Sequence, residues 1–180
     1  MTDRRPFDLV YTDLVVDLAQ SFQGSRYCII FVDAATRFTW VSGMKTKEAE
    51  ESKEKLQEFK DFVSSITING QKDQYRVGTI RADGDGAYTG GFDVGTFRRR
   101  ATGVFSNFAT SNGIWQEFAA ADTDGQHNGL AESTHGVLAH MANSMIHHAQ
   151  LSIAFWEYGM NYASWIYNRL PHTMTGVSPD

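Results

Sequence analysis

Three acidic residues stand where a carboxylate could do chemistry: Asp13, Asp83 and Glu132. Asp13 interrupts the apolar run Leu9-Val10-Tyr11-Thr12-Asp13-Leu14-Val15-Val16. A carboxylate in mid-strand is costly unless it is paired, hydrogen-bonded or metal-bound. Asp83 closes the run Tyr75 to Asp83 and is followed by Gly84-Asp85-Gly86. Ligand sites in α/β sheets form at the carboxyl ends of strands, and glycines there let a substrate backbone approach closely. Glu132 falls near the start of a predicted helix whose apolar stripe reads Leu130, Val137, Met141 and Met145. Helical phase turns it about 200° from Leu130, beside Asn128 and His135. Each also has an ordinary structural reading: an edge-strand Asp, a turn-forming Asp before Gly, a solvated helical Glu. Periodicity alone does not bring the three together.

Other chemistry-bearing patterns lead less far. Asp83-Gly84-Asp85-Gly86 has the opening of a calcium loop, but Ala87 and Val94 fill its fifth and twelfth positions, where ligands are needed. The same segment has the Asp-x-Asp of sugar-nucleotide transferases, a reading that rests on one short motif. The histidines lack partner cysteines or HExxH spacing, which argues against a structural zinc site. His147-His148 suits a favourable dipole interaction at a helix end. Arg98-Arg99-Arg100, the only basic triplet, reads as a solvated face before a DNA contact. Trp40, Trp115, Trp156 and Trp165 all fall in apolar elements and are expected in the core. The single cysteine, Cys28, lies in the run Tyr27 to Val32 and reads as a buried strand residue of an intracellular protein.

The elements that must position these residues follow from pattern. Leu9 to Val16 reads as a strand. Arg26 to Asp33 and Arg37 to Met44 should pair as antiparallel neighbours across Ala34-Ala35-Thr36. Thr46 is placed to cap a helix over Lys47 to Ile66 that buries Leu56, Phe59, Val63 and Ile66 and carries Glu51–Lys55 as an outer pair. Tyr75 to Asp83 is a fourth strand, 91–112 is partly helical, and Ile114 to Ala119 is a fifth strand. Gln126 to Ala149 and Ser152 to Arg169 are closing helices. The sum is one mixed α/β layered domain, which 180 residues suffice to build.

Charge is unevenly spread. The net charge is −5, and residues 101–180 contain one basic residue, Arg169, against six acidic ones, together with all six histidines. Non-specific DNA affinity comes from Lys and Arg neutralising phosphates, so tight binding by this half alone is not expected. The longest apolar runs are too short to span a bilayer.

Along nearly its whole length the chain resembles the integrase catalytic core of copia-type retrotransposons. Phe7-Asp8-Leu9-Val10-Tyr11-Thr12-Asp13-Leu14 resembles that family's opening strand, and Phe31 to Val41 its second and third. Arg81-Ala82-Asp83-Gly84-Asp85-Gly86 is similar to the segment bearing the second carboxylate, and Gln126-His127-Asn128-Gly129-Leu130-Ala131-Glu132 to the one leading to the catalytic Glu. The tail adds His148-Ala149-Gln150-Leu151, Phe155-Trp156, Asn168-Arg169-Leu170-Pro171, Gly176 and Ser178-Pro179. The resemblance implies an RNase H-like fold, a five-stranded mixed sheet flanked by helices with the acidic triad at one edge. It implies two Mg²⁺ or Mn²⁺ ions, Asp13 bridging both while Asp83 and Glu132 each hold one. It further implies a polynucleotidyl transferase that trims retroelement DNA ends and joins them to target DNA. Gln126, Asn128 and His135 would lie against the DNA. A homo-oligomer, working in a cytoplasmic particle and the nucleus with no membrane contact, is expected. Residues 1–180 would be one core within a larger polyprotein, without the zinc-binding amino-terminal module and the basic carboxyl-terminal region.

The sequence departs from the family in three places. Ser133-Thr134-His135-Gly136 follows Glu132 where basic residues are usual, and Thr123-Asp124-Gly125 stands where a proline is usual. The interval from Asp83 to Glu132 is long, with the excess between Phe92 and Phe105, as a surface insertion would give. Glu117, 34 positions after Asp83, has the family's usual spacing. Its run Ile114-Trp115-Gln116-Glu117-Phe118 reads as a strand, however, and Glu132 has the Asn-Gly context on a helix. The different-class alternative is a decayed or domesticated core that keeps the fold as an interaction or scaffold module.

Overall fold

Side chains alternate across a strand, and the strands of the sheet's centre use both faces. The computed structural model describes residues 5–68, 71–72, 75–82, 103–118, 128–173 and 175–179. β1 (Leu9–Val15), β2 (Tyr27–Asp33) and β3 (Thr39–Met44) form an antiparallel meander. The chain continues through α1 (Ala49–Ser65) and a two-residue hairpin, β4 (Thr67–Ile68) and β5 (Gln71–Lys72). It then forms β6 (Thr79–Ala82), α2 (Val104–Ser111), β7 (Trp115–Phe118) and α3 (Gly129–His148). A 3₁₀ turn (Ile153–Phe155) leads into α4 (Trp156–Arg169). β6 pairs parallel with β1 and β7 parallel with β6, which gives a five-stranded mixed sheet in the order β3-β2-β1-β6-β7.

Two apolar layers sandwich this sheet. Ile29 and Phe31 of β2 face Leu56, Phe59 and Val63 of α1 and Phe105 of α2, with Phe31 stacked on Phe59 at 4.6 Å. Cys28, Ile30 and Val32 face the opposite way, onto Leu138 and Ala142 of α3 and Met160 of α4. This two-sided burial explains why β2 reads as a continuous apolar run rather than an alternating one. Among the described residues no helix is long and apolar enough to cross a membrane.

Several expectations need correction. Thr46 does not cap α1; the N-cap is Glu48, with no side-chain cap hydrogen bond. Glu51 instead folds back and accepts the N–H groups of Lys45 and Thr46 at 2.8 Å each. That use of its carboxylate displaces the Glu51–Lys55 pair, and Lys55 reaches Glu58 at 3.0 Å. The strand expected from Tyr75 starts only at Thr79, because Tyr75 turns inward against the Phe7 ring. The buried stripe of α3 is Ala131, Thr134, Leu138, Ala142 and Ile146, one position away from the expected one, and Val137 is 45% exposed. Close helix packing decides this. A Cβ on Gly159 of α4 would already lie 3.2 Å from the Ala142 Cβ, so small residues form the contact and larger ones flank it. Of the tryptophans, Trp156 is buried and Trp40 packs on the first core layer. Trp115 and Trp165 are 78% and 51% exposed. Trp115 opens the edge strand β7, and Trp165 stacks with Tyr162 on the solvent side of α4.

The inner face of α4 is polar because it meets the edge of the sheet as well as its face. Glu157, Ser164 and Asn168 are all buried. Asn168 accepts the Thr39 N–H and donates to the Thr39 carbonyl, both at 2.8 Å. Ser164 donates to that carbonyl at 3.0 Å. At the other end of β3, Glu157 accepts the Ser21 hydroxyl at 2.6 Å and lies against Gly43. A Cβ at position 43 would overlap the Glu157 carboxylate and approach the Ser25 hydroxyl to 2.7 Å. Gly43→Ala is therefore expected to destabilise the fold by about 3 kcal/mol through overpacking. Urea denaturation measures it, and a change below about 0.5 kcal/mol would contradict this packing.

Candidate active site

Asp13 sits on β1, the middle strand of the sheet, opposite Ile30 of β2. Its side chain is 20% exposed and leaves the sheet on the α3 side, where its Oδ2 lies 4.0 Å from Nδ1 of His135. Oδ1 accepts the Leu14 N–H at 3.0 Å. The start of α3 is fastened to the same strand one residue earlier. Asn128, the N-cap, is 1% exposed and donates from Nδ2 to the Thr12 carbonyl at 3.0 Å. The Asn128 carbonyl in turn accepts the N–H groups of Ala131 and Glu132, at 3.0 and 3.3 Å.

This fastening orients Glu132. It lies one turn beyond the anchored Asn128 and one turn before His135, and residues three or four apart share a helix flank. Asn128 meets Thr12 and His135 meets Asp13, so the Glu132 flank faces the same corner of the sheet. Glu132 is exposed, off the buried stripe, as its helical phase predicted. Among the described residues the buried Oδ1 of Asn128 has no hydrogen-bond partner, an oxygen donor held at the edge of this corner.

Asp83 and Gln126 lie outside the described residues, as do Asp85, His127 and Arg98-Arg99-Arg100. β6 is described to Ala82, one residue before Asp83, and runs parallel beside β1 with Arg81 opposite Tyr11. Asp13 and Glu132 are therefore placed, the first on β1 and the second on the first turn of the helix that Asn128 fastens to β1. Among the described residues no group of three or more His, Cys, Asp or Glu side chains forms a metal-binding cluster.

Glu117 is accounted for differently. It lies on β7 directly opposite Arg81 of β6. Its carboxylate takes the Arg81 guanidinium through Nε at 2.8 Å and through Nη2. The same guanidinium donates from Nη1 to the Tyr11 hydroxyl at 2.8 Å and lies over the Tyr11 ring, 5.2 Å from its centroid. Sequence reasoning missed this group. The signal was available as Arg81 inside a strand, a cation that needs a partner when partly buried.

Two other buried groups, Asp33 and Cys28, have no part in the corner's proposed chemistry. Asp33 is fully buried and accepts the N–H groups of Phe7 and Thr36 and the Thr36 hydroxyl. Burial raises its pKa despite those bonds, and its position in the β2–β3 turn makes it structural. The Cys28 thiol is pushed up to about 12, chiefly by burial and then by the charges of Glu157 and Asp13. That removes it as a nucleophile. It lines an apolar cavity of about 220 Å³ behind His135, together with Val15, Trp156 and Met160.

No family model matches the chain. Curated relatives do. It is 28% identical over 171 residues to the retrovirus-related Pol polyprotein from transposon RE2 of Arabidopsis thaliana, covering 95% of this chain and 10% of that protein. It is 28% identical to the corresponding polyprotein from transposon TNT 1-94 of Nicotiana tabacum, covering 91% of this chain and 11% of that protein. The chain thus spans about a tenth of the length of the curated relatives it matches. Among solved structures, the intasome of simian T-cell lymphotropic virus in complex with PP2A regulatory subunit B56 gamma superposes with a TM-score of 0.70 at 16% identity, over 97% of this chain and 53% of that one. The HTLV-2 integrase catalytic core domain in complex with magnesium, in a trimeric form, gives 0.65 at 17% identity, over 97% of this chain and 94% of that one. The homologues are copia-type retrotransposon Pol polyproteins, the structural neighbours are retroviral integrase catalytic cores, and the fold is RNase H-like.

Proposed function

We propose that this chain is the catalytic core of a retroelement integrase, a polynucleotidyl transferase and endonuclease that trims the element's DNA ends and joins them to target DNA. The observation that carries the reading is the fastening of α3 to β1. Asn128 on Thr12 and His135 beside Asp13 turn the Glu132 flank toward the strand bearing Asp13. The relatives and the fold support the class of reaction, and the corner supports roles for Asp13 and Glu132. We also propose residues 1–180 as one core domain within a longer polyprotein, in keeping with the tenth of its relatives' length that it spans.

The donor set fits Mg²⁺ or Mn²⁺. Hard divalent cations take oxygen ligands. The corner offers the carboxylates of Asp13 and Glu132, and Asn128 holds a further oxygen at its rim. Asp13, Asp83 and Glu132 would hold two ions. Bound there, the ions would activate the attacking oxygen and stabilise the leaving one in an in-line displacement. The protein's own part is positional. β1 fixes Asp13 at the sheet centre, and Asn128 ties the helix carrying Glu132 to it. His135 adds a donor beside the carboxylate for a phosphate oxygen. Gln126, two residues before Asn128 in sequence, is assigned to the DNA, whereas Asn128, 1% exposed and bonded to Thr12, serves as the anchor.

The test is Mg²⁺- or Mn²⁺-dependent nicking and joining of oligonucleotides that carry the element's ends. Retention of the fold with neither activity, in the presence of flanking segments, would favour the second reading: a decayed core serving as an interaction module. The single Lys or Arg in residues 101–180 favours that alternative. Under the integrase reading the same charge balance gives an expected result. The chain by itself should bind DNA weakly and with a shallow dependence on salt. Fluorescence anisotropy across a salt series measures this, and nanomolar affinity at physiological salt and pH 8 would contradict it.

A further inference from the structure

The three-strand row Tyr11, Arg81 and Glu117 belongs to no part of the proposed reaction. Strand registers place the three side by side, Tyr11 opposite Arg81 and Arg81 opposite Glu117. One guanidinium spans them, with two donors on Glu117 and one on the Tyr11 hydroxyl. Its side chain is 26% exposed and that of Glu117 52%, so the ion pair contributes little as a surface salt bridge. Its location matters more. Residues two apart on a strand share a face, so Tyr11 stands directly behind Asp13 on the α3 side of β1. Arg81 is two positions before Asp83 in sequence. β6 and β7 join the sheet through parallel ladders, and the Arg81 side chain adds a cross-strand link to each ladder. A planar, five-donor group suits such bridging where a lysine would not.

We infer that Arg81 is a positioning residue: by tying β1, β6 and β7 into one row directly behind Asp13, it fixes the strand that presents that carboxylate to metal. This rests on the integrase reading only for the metal. The anchoring itself is a property of the fold.

Charge and position give opposite signs, which makes the inference testable. Arg81→Met removes a cation near a site for dications, so an effect through charge alone must tighten Mn²⁺ binding. Positioning predicts the reverse. Arg81→Met should raise the Mn²⁺ dissociation constant on the order of tenfold, measured by electron paramagnetic resonance without DNA. Glu117→Met, which changes the charge in the other direction, should raise it severalfold as well. Opposite signs for the two variants, or tighter binding by Arg81→Met, overturn the inference. Amide hydrogen exchange of metal-free protein supplies a second readout. β1 and β6 amides should exchange faster in Arg81→Met while α1 amides keep their protection, and unchanged β1 and β6 exchange overturns the inference. If the unsubstituted chain takes up no Mn²⁺, the metal reading fails and the exchange result alone decides the anchoring. Should Arg81→Met not fold, Tyr11→Phe carries the same exchange test by deleting one acceptor and keeping the ring.

Discussion

Glu132→Gln is expected to abolish metal-dependent DNA cleavage, while Glu117→Gln leaves it within severalfold of normal. The two glutamates compete for one role, and spacing alone favours Glu117. Glu117 stands at the usual interval from Asp83, yet it is a strand residue whose carboxylate is occupied by Arg81. A glutamine there still offers Arg81 one oxygen, so most of the row survives. Glu132 is exposed on the first turn of a helix tied to β1 through Asn128. A glutamine there keeps the shape and removes the anionic oxygens a cation needs. The loss should be on the order of 10³-fold or more, the scale of removing one member of a group that acts as a unit. A gel assay of nicked product at fixed Mn²⁺ reads both variants. The reverse pattern would reassign the site to β7 and remove the case for an insertion after Phe92.

Asp13→Asn should be as severe, and chelation of divalent ions should reproduce it in the unsubstituted chain. Asn keeps the volume of Asp and can still accept the Leu14 N–H that Asp13 takes at 3.0 Å, so unfolding free energy should stay within about 1 kcal/mol. What it loses is the formal charge on which dication affinity depends. Asp83→Asn is expected to match it. Cleavage at full rate in chelator, or by either asparagine variant, would defeat the metal mechanism, and a circular dichroism melt guards against loss of fold.

Much of this was legible in the sequence, for identifiable reasons. β2 showed itself as a continuous apolar run because both its faces are covered. The exposure of Glu132 off the buried stripe was legible because helical phase needs only local spacing. The α3 stripe was misplaced by one position because hydrophobicity favours Leu, Val and Met, whereas helices packed as closely as α3 and α4 select Ala and Gly. The Glu51–Lys55 pair failed because Glu51 had a better use in the loop before its helix. Trp115 and Trp165 were misread because burial depends on which face of an element is covered. Above all, Asn128 could not be read as an anchor: its partner, the Thr12 carbonyl, is 116 residues away.

The polar inner face of α4 has one more consequence. An outer strand ordinarily presents its backbone as a template for whatever extended chain comes past. Here the carboxamide of Asn168 satisfies one residue of that template through both its amide and its carbonyl, as a sixth strand would. Four residues further along, the Glu157 carboxylate sits against Gly43. A helix residue has thus taken the place of a neighbouring strand at Thr39, and Asn168 is the part of the Asn168-Arg169-Leu170-Pro171 segment that does so. Copies of this chain that pair by strand addition would meet this obstacle at the β3 border and not at β7, the other border of the sheet.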